Sequence, residues 1–290
     1  MKRLGLALTL ILASGAYAHG PNFQINGDNC SPRNIRFDDE PAAVEKQVIE
    51  AGNLRSLKVS VSHAPISVKG GNANGYTITV CKAAAVQSDL AAIRVTVENG
   101  ELKATGPRNG DWTVQYQIAV PRGADLDLEA SNGPISLRDI DGTVVAKASN
   151  GPISLKNLSG DVNVTTTNGP ISINGGSGSM KVRASNGPLS VDLEGNAWVG
   201  GSLDAATKNG PLTLKLPRNY ASGVTVESNG RGPISCRAEG CNRGWRAAGD
   251  DRRSSGDDRW DDEPRTIELG SGAPAVRLST VNGPITIKDE

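Results

Sequence analysis

A hydroxyl side chain recurs at one position of a short motif that is repeated along most of this 290-residue chain. Each copy reads Gly-Pro, then Ile or Leu, then Ser or Thr, and in the regular part the copies are 18 residues apart. A serine becomes a nucleophile only when a base such as His or Lys activates it, and no His accompanies the motif at this spacing. Stacked copies would align these hydroxyls in a column. This column indicates small polar side chains that stack well, or else a surface that orders water or binds sugar or ice. Its members are Ser136, Ser154, Ser172, Ser190, Thr213, Ser235 and Thr286.

The residue two positions after this hydroxyl is basic in most copies. Stacked repeats would align these side chains in a stripe, which could bind an anionic polymer such as an acidic envelope glycan. The alternative is that basic residues at strand ends solvate the surface and discourage association between sheets. Asn174 and Asp192 interrupt the series. Its basic members are Lys69, Arg138, Lys156, Lys215, Arg237 and Lys288.

Four cysteines favour two disulfide bonds in an exported chain. Cys236 and Cys241 are close enough in sequence to bridge a corner, which leaves Cys30 to join Cys81. The other two pairings stay open, because four cysteines allow three. A metal site is the alternative use of these thiols, but no Cys-x-x-Cys pair and no neighbouring His supports it.

Histidine offers one further possibility. Removal of a signal peptide after Ala18 would make His19 the first residue, and an N-terminal amine, its own imidazole and a second His can bind copper. The second His could only be His63, which occupies the Asn position of the degenerate copy Ser62-His63-Ala64-Pro65. A turn residue is the simpler role for His63, so no cofactor is predicted.

The whole motif, best seen as Ser149-Asn150-Gly151-Pro152-Ile153-Ser154-Leu155-Lys156, predicts how these side chains are positioned. Asn-Gly favours a corner with positive φ, and Pro then begins a strand in which Ile and Leu face one side. A second short strand completes each unit, so an all-β, single elongated β-solenoid with coils of 18 to 23 residues and an N-terminal cap is predicted. A β-sandwich of hairpins with Asn-Gly turns is the alternative. Stacked corners would form an amide ladder from Asn132, Asn150, Asn168, Asn186, Asn209, Asn229 and Asn282.

The rest of the chain divides around this array. Residues 1–18 resemble a secretory signal, with a basic end, an apolar stretch and a small-x-small cleavage site. Residues 19–56 are predicted to form a cap in which Glu40 to Ala51 show a weak helical period, and residues 57–245 the solenoid, with imperfect first coils up to Val120. Residues 246–265 are rich in charge and predict a disordered insert, for which calcium binding is the alternative. Residues 266–290 are expected to close the stack.

Composition narrows the function classes. The formal net charge is zero, so no global positive field indicates nucleic-acid binding. Aromatic residues make up only 3% of the chain, which suits a narrow core filled by aliphatic side chains. No apolar run after the signal segment is long enough for a transmembrane helix.

The stretch from Tyr116 to Pro121-Arg122-Gly123, followed by serial Asn-Gly-Pro-Ile-Ser coils, resembles the putative-adhesin domain of unknown function of bacterial envelope proteins. The resemblance covers roughly Leu57 to Lys288. It implies a β-solenoid fold and an exported location, in the periplasm, on the cell surface or in the medium. It brings no catalytic motif to this chain.

These observations together predict a protein that is not an enzyme. The expected role is an adhesin-like or scaffolding module of the cell envelope, whose partners would be envelope or host glycans or envelope proteins. Two alternatives remain at this point. One is a polysaccharide-active β-helix lyase or hydrolase, and the other is a self-associating envelope-stress factor.

Overall fold

A computed structural model describes residues 30–31, 35–230, 232–242 and 265–289 of the chain. The predicted signal peptide, His19 and nearly all of the charged insert lie outside these residues. Two short 3₁₀ helices occur, at Gln87–Ala92 and Glu239–Asn242. The strands are β1 (Arg36–Phe37), β2 (Glu40–Pro41), β3 (Ala43–Gly52), β4 (Ser56–Val61), β5 (Ile66–Gly71), β6 (Tyr76–Ala84), β7 (Arg94–Glu98), β8 (Glu101–Thr105), β9 (Trp112–Pro121), β10 (Asp125–Asn132), β11 (Ile135–Arg138), β12 (Asp141–Asn150), β13 (Ile153–Lys156), β14 (Ser159–Asn168), β15 (Ile171–Asn174), β16 (Ser179–Asn186), β17 (Leu189–Asp192), β18 (Leu203–Asn209), β19 (Leu212–Leu216), β20 (Gly223–Ser228), β21 (Ile234–Cys236), β22 (Arg265–Leu269), β23 (Pro274–Asn282) and β24 (Ile285–Asp289).

The repeats form a β-solenoid, as the sequence predicts. Each coil contributes its first strand to one 11-stranded sheet, here called sheet 1, and its second strand to another, called sheet 2. Neighbouring coils pair in parallel and in register, so that Val144 lies beside Val162 and Ile153 beside Ile171. In chain order the coils of the described residues are coil 1 (β4, β5), coil 2 (β10, β11), coil 3 (β12, β13), coil 4 (β14, β15), coil 5 (β16, β17), coil 6 (β18, β19), coil 7 (β20, β21) and coil 8 (β23, β24).

The core is the narrow space between the two sheets. Alternate residues of each strand point inward, and in coil 3 these are Val144, Ala146, Ala148, Ile153 and Leu155, all buried. Period-two alternation produces this arrangement directly, because successive side chains of a strand point to opposite faces. The remaining side chains form two outer faces, one on each sheet.

The N-terminal end is an antiparallel cap rather than a series of imperfect coils. On sheet 2, β9 is parallel to β5, but β6 is antiparallel to β9 and β3 is antiparallel to β6. On sheet 1, β8 pairs in parallel with β4 and forms a hairpin with β7. The helical period read over residues 40–51 is also wrong, because β3 occupies most of that stretch. Pairing with β6 outweighs the weak local preference, since it covers a sheet edge that would otherwise be open.

The C-terminal end departs from chain order. Coil 8 lies between coils 6 and 7, since β23 pairs with both β18 and β20, and β24 pairs with both β19 and β21. Residues 266–290 were expected to close the stack with a coil, but coil 8 lies inside the stack. The end of the stack is β21 of coil 7 on sheet 2, and on sheet 1 it is β22, which pairs antiparallel with β20. No helix among the described residues is long and apolar enough to cross a membrane.

The pH dependence of stability provides a test of the packing around two buried tyrosines, Tyr116 of the cap and Tyr220 between β19 and β20. Burial of Tyr116 between the sheets raises the pKa of its phenol well above the usual value of 10, and burial raises the pKa of Tyr220 to about 12. Above pH 10 the unfolded state therefore loses phenolic protons that the folded state keeps, so stability falls as the pH rises. Each such group contributes up to about 1.4 kcal/mol per pH unit.

We expect the Tyr116→Phe variant to lose less stability than the wild type on going from pH 8 to pH 11, by about 1 kcal/mol. Urea titrations at both pH values measure the difference. Parallel losses in the two proteins would mean that the Tyr116 phenol is not shielded from water in the folded state.

Candidate binding face of sheet 2

The repeated hydroxyls form one column on the outer face of sheet 2. The register places each directly beside the next, for example Ser154 beside both Ser136 and Ser172. Strand spacing sets about 4.8 Å between neighbours. All are exposed or half-buried, so they are available to solvent. In spatial order the column is Ser67, Ser136, Ser154, Ser172, Ser190, Thr213, Thr286 and Ser235.

The stripe runs parallel to this column, but its spatial order differs from its order in the chain. Because coil 8 is inserted before coil 7, Lys288 lies between Lys215 and Arg237. The sequence alone would place Arg237 next to Lys215. From the N-terminal cap onward the stripe reads Lys69, Arg138, Lys156, Asn174, Asp192, Lys215, Lys288 and Arg237.

Two different environments result along the stripe. Lys215 Nζ lies 3.4 Å from Asp192 Oδ2, so an ion pair partly neutralises the second half. Lys69, Arg138 and Lys156, called the basic cluster below, lie on three adjacent strands and are exposed. Within the described part of the chain, no acidic side chain forms an ion pair with any of the three. Neighbouring charges about 5 Å apart repel by roughly 0.8 kcal/mol in water, and an anionic ligand would relieve that repulsion.

The outer face of sheet 1 offers a contrast. There Arg183 pairs with Asp204, and Arg277 Nη2 lies 2.8 Å from Glu227 Oε2. The hydrogen bond and charge of Glu227 raise the pKa of the Arg277 guanidinium. Arg183 and Arg277 on sheet 1 therefore each have an acidic partner, while within the described residues no member of the basic cluster has one.

The corner asparagines form a ladder beside this face. Each side-chain amide donates to the carbonyl oxygen of the preceding Asn, as from Asn150 Nδ2 to Asn132 Oδ1 at 3.0 Å and from Asn168 Nδ2 to Asn150 Oδ1 at 2.9 Å. The chain of bonds continues through Asn186, Asn209 and Asn282. His63 stands at the first position, where its Nε2 lies 3.3 Å from Asn132 Nδ2. His63 is thus a corner residue, the simpler of the two roles considered for it.

Asn229 does not occupy the position that the sequence suggested. Its backbone amide donates to Thr280 O, whereas Gly232 is the glycine that lies against Gly283. The motif of coil 7 has two more residues between its Asn and its Pro than the motif of coil 8, which moves Asn229 out of line with Asn282. Arg265, assigned from sequence to the charged insert, stabilises this corner instead. Its Nη2 donates to Gly230 O at 2.9 Å and also to Gly232 O.

We expect Asn168→Ala to lower the free energy of unfolding by about 1 kcal/mol, because it removes two hydrogen bonds at an exposed corner. Asn168 donates to Asn150 and accepts from Asn186, so both neighbours lose a partner. Thr167→Ala is the matched control, since that exposed side chain lies one residue away and outside the ladder. Urea titration of the three proteins tests this, and equal stability of all three would contradict it.

Both disulfides are present. Cys30 bonds to Cys81 and Cys236 to Cys241. The first holds the segment before β1 against β6, where Ile35, Ala42 and Ala83 form a small apolar cluster. In the residues that the structure describes, no group of three His, Cys, Asp or Glu side chains could hold a metal ion. His19 of the copper alternative lies outside that part, and so do residues 246–264 of the charged insert, to which the calcium alternative applies.

The geometry is that of a two-sheet β-solenoid whose sheet 2 carries columns of hydroxyl and basic side chains on its outer face. The chain belongs to the Toastrack DUF4097 family, whose profile matches residues 42–232. No match was found among curated proteins.

The solved structures that match this chain are remote in sequence. A putative cell adhesion protein from Clostridium sporogenes ATCC 15579 is 12% identical, with 86% of this chain and 100% of that chain covered and a TM-score of 0.31. A putative adhesin from Bacteroides fragilis NCTC 9343 is also 12% identical, with 86% and 97% covered and a TM-score of 0.38. A putative lipid binding protein from Parabacteroides distasonis ATCC 8503 is 14% identical, with 85% and 96% covered and a TM-score of 0.33.

Proposed function

We propose that this chain is an exported, non-enzymatic module of the cell envelope that makes adhesin-like or scaffolding contacts through the outer face of sheet 2. The observation that carries the proposal is the basic cluster. Three cationic side chains lie on adjacent strands of one outer face and form no ion pair within the described residues. The signal-like residues 1–18 and the membership in a domain family with adhesin-like members support export.

The ligand that fits this face is an extended anionic polymer, such as an acidic glycan. The hydroxyl column runs beside the basic cluster and offers donors and acceptors to sugar hydroxyls. Carboxylates or sulfates of the polymer would neutralise Lys69, Arg138 and Lys156 together. A zero net charge of the whole chain makes general attraction to every polyanion weak, so the binding would depend on this face.

The proposal that the protein is not an enzyme rests on the same face. A serine needs a base to become nucleophilic, and among the described residues no Lys of the stripe forms a hydrogen bond with a hydroxyl of the column. Lys215 instead donates to Asp192. His63, the only His among the described residues, belongs to the corner ladder. A glycan held on this face would therefore be bound without being cleaved.

Charge reversal of the basic cluster tests the proposal. We expect the triple variant Lys69→Glu, Arg138→Glu and Lys156→Glu to bind polygalacturonate at least about tenfold more weakly than the wild type, because each lost contact contributes about 0.5 to 1 kcal/mol. Binding of the wild type should also weaken as salt is raised from low to physiological concentration. Isothermal titration or biolayer interferometry measures both effects, with neutral dextran as the uncharged polymer.

The matched control is Lys58→Glu, Lys147→Glu and Lys181→Glu. These three lysines are exposed on the outer face of sheet 1, so the change in net charge is the same. We expect this control to keep most of the affinity. Equal losses in both triple variants would show that only net charge matters, and equal affinity of the wild type and the sheet 2 variant would remove the basic cluster as the site.

A further inference from the structure

Coil 8 occupies a slot between two coils that precede it in the chain. On one side Val276 lies beside Leu203 and Ile285 beside Leu212, both in coil 6. On the other side the same two residues lie beside Val224 and Ile234 of coil 7. Both edges of β23 and of β24 are therefore paired with strands that were synthesised earlier.

The C-terminal segment, residues 265–289, also wraps around coil 7. Its first strand, β22, pairs with the outer edge of β20, and its second strand, β23, pairs with the inner edge. Between β22 and β23 the chain passes from one edge of β20 to the other, and its backbone forms hydrogen bonds with residues 221 and 223 on the way. Gly272 N donates to Ala221 O at 2.8 Å, and Gly223 N donates to Ala273 O at 2.9 Å. A Cβ on Gly270 would lie only 2.2 Å from Ser222 O, so this crossing requires glycine.

Side chains add specific contacts at both ends of the C-terminal segment. Arg265 Nη2 donates to Gly230 O of the coil 7 corner at 2.9 Å. Asn282 Nδ2 donates to Asn209 Oδ1 of coil 6 at 2.8 Å. The Asp289 carboxylate accepts from the backbone amide of Glu239 at 3.1 Å. All of these partners lie in coils 6 and 7 or directly after them, and within the described residues the two strands of coil 7 pair only with strands of this segment.

Only residues 243–264 connect the C-terminal segment to the rest of the fold. A chain of that length spans at most about 75 Å when fully extended. The contacts described above do not depend on whether the segment belongs to the same molecule. A neighbouring molecule could therefore supply an identical segment.

We propose that the slot between coils 6 and 7 is a binding site for the C-terminal segment of a second copy of this chain. Two copies that exchange these segments form a dimer with the same contacts as the monomer, which is the general basis of domain swapping. The proposal does not depend on the anionic ligand proposed above.

Coils 6 and 7 are well suited to release and accept the segment. They present matching residues to it, since Leu203 and Val224 flank Val276, and Thr207 and Ser228 flank Thr280. When the segment leaves, coil 7 can therefore pair directly with coil 6, which covers the two strand edges that faced coil 8. The segment of the same molecule has a high effective concentration. Exchange should consequently be favoured when the protein folds at high concentration.

Two single-cysteine variants of the full chain test the exchange. Ala206 of β18 and Ser279 of β23 are direct partners on the outer face of sheet 1, and adjacent strands lie within the range of Cα separations that a disulfide spans. Ala206→Cys and Ser279→Cys chains are unfolded, mixed, refolded together and oxidised. We expect a disulfide-linked heterodimer whose yield rises with protein concentration and exceeds that of the control pair by at least about tenfold at the highest concentration.

The control pair is Ala206→Cys with Val145→Cys, because Val145 lies on the same face in coil 3 and is not a partner of Ala206. Non-reducing electrophoresis measures the yield, and mass spectrometry identifies the bridged peptides. Adding Gly283→Val to the Ser279→Cys chain should abolish the heterodimer, because a Cβ at that position would lie 1.9 Å from Gly210 O. The double variant Ala206→Cys/Ser279→Cys should form the same bridge within one chain at low concentration. If that bridge forms while the mixed chains give no more heterodimer than the control pair, segment exchange does not occur and the proposal is wrong.

Discussion

Replacing Gly151 with valine is expected to lower the free energy of unfolding by about 4 kcal/mol or more. A Cβ on Gly151 would lie 2.3 Å from Gly133 O and 2.8 Å from Gly133 C. Both atoms belong to the backbone of the preceding coil, so neither can move without breaking the pairing of β11 with β13. Thermal and urea unfolding followed by circular dichroism measure the loss.

Gly71→Val is the matched control for this substitution. No atom lies within 4 Å of a Cβ at Gly71, and its φ is outside the left-handed region. We expect a change within about 1 kcal/mol. A similar loss in both variants would mean that close backbone approach is not what requires glycine at the corner.

The reason for the corner glycine differs from the one that the sequence suggested. Asn-Gly favours a turn with positive φ, yet Gly151 is not among the residues with positive φ. Gly169 and Gly187, at φ 153° and 148°, do fall in that range. What these three glycines share is the close approach of the preceding coil. The lack of room for a Cβ at the stacked corner, rather than backbone freedom alone, accounts for the repeated Gly.

The second large effect is expected from Leu155→Ala, which should cost about 3 kcal/mol. Leu155 is 1% exposed and lies between Leu137 and Ile173 in a column of the core. Its removal leaves a cavity that the paired strands on both sides cannot close, because their register is held by backbone hydrogen bonds. The free energy of unfolding from urea titration measures the cost.

Ser154→Ala serves as the control, because Ser154 is the preceding residue of the same strand and its side chain faces solvent. We expect a change within about 0.5 kcal/mol. A Leu155→Ala protein as stable as the Ser154→Ala protein would contradict the assignment of Leu155 to a tightly packed core.

The regular coils could be predicted because each one pairs with a near copy of itself. Ile153 lies beside Ile135 and Ile171 in the structure, and the 18-residue spacing of the sequence already implies that alignment. A register shift by one residue would move the apolar side chains to solvent. Local pattern and tertiary contact therefore carry the same information in this part of the chain.

The ends of the fold could not be predicted in the same way. Alternating residues in β6 and β9 indicate strands with one buried face, but alternation is identical for parallel and antiparallel pairing. The antiparallel cap depends on which strands pair with one another, here β3 with β6 and β6 with β9. Likewise the motif of coil 8 fits beside coil 6 and beside coil 7 equally well, because the three coils carry the same residue types.

Period-two alternation within an 18-residue repeat was enough to predict the all-β coil, its inward and outward faces, and the side chains that form the hydroxyl and basic columns. The spatial order of the coils at the C-terminal end, and with it which charges are neighbours there, depends on long-range pairing. Lys288 next to Lys215 and the corner held by Arg265 both arise between residues far apart in the chain, whereas Asp192 and Lys215 belong to consecutive coils. Because the strand edges of coils 6, 7 and 8 carry the same residue types, each edge can pair with any copy of the motif. The chain connections and the packing at the ends of the stack therefore select one arrangement.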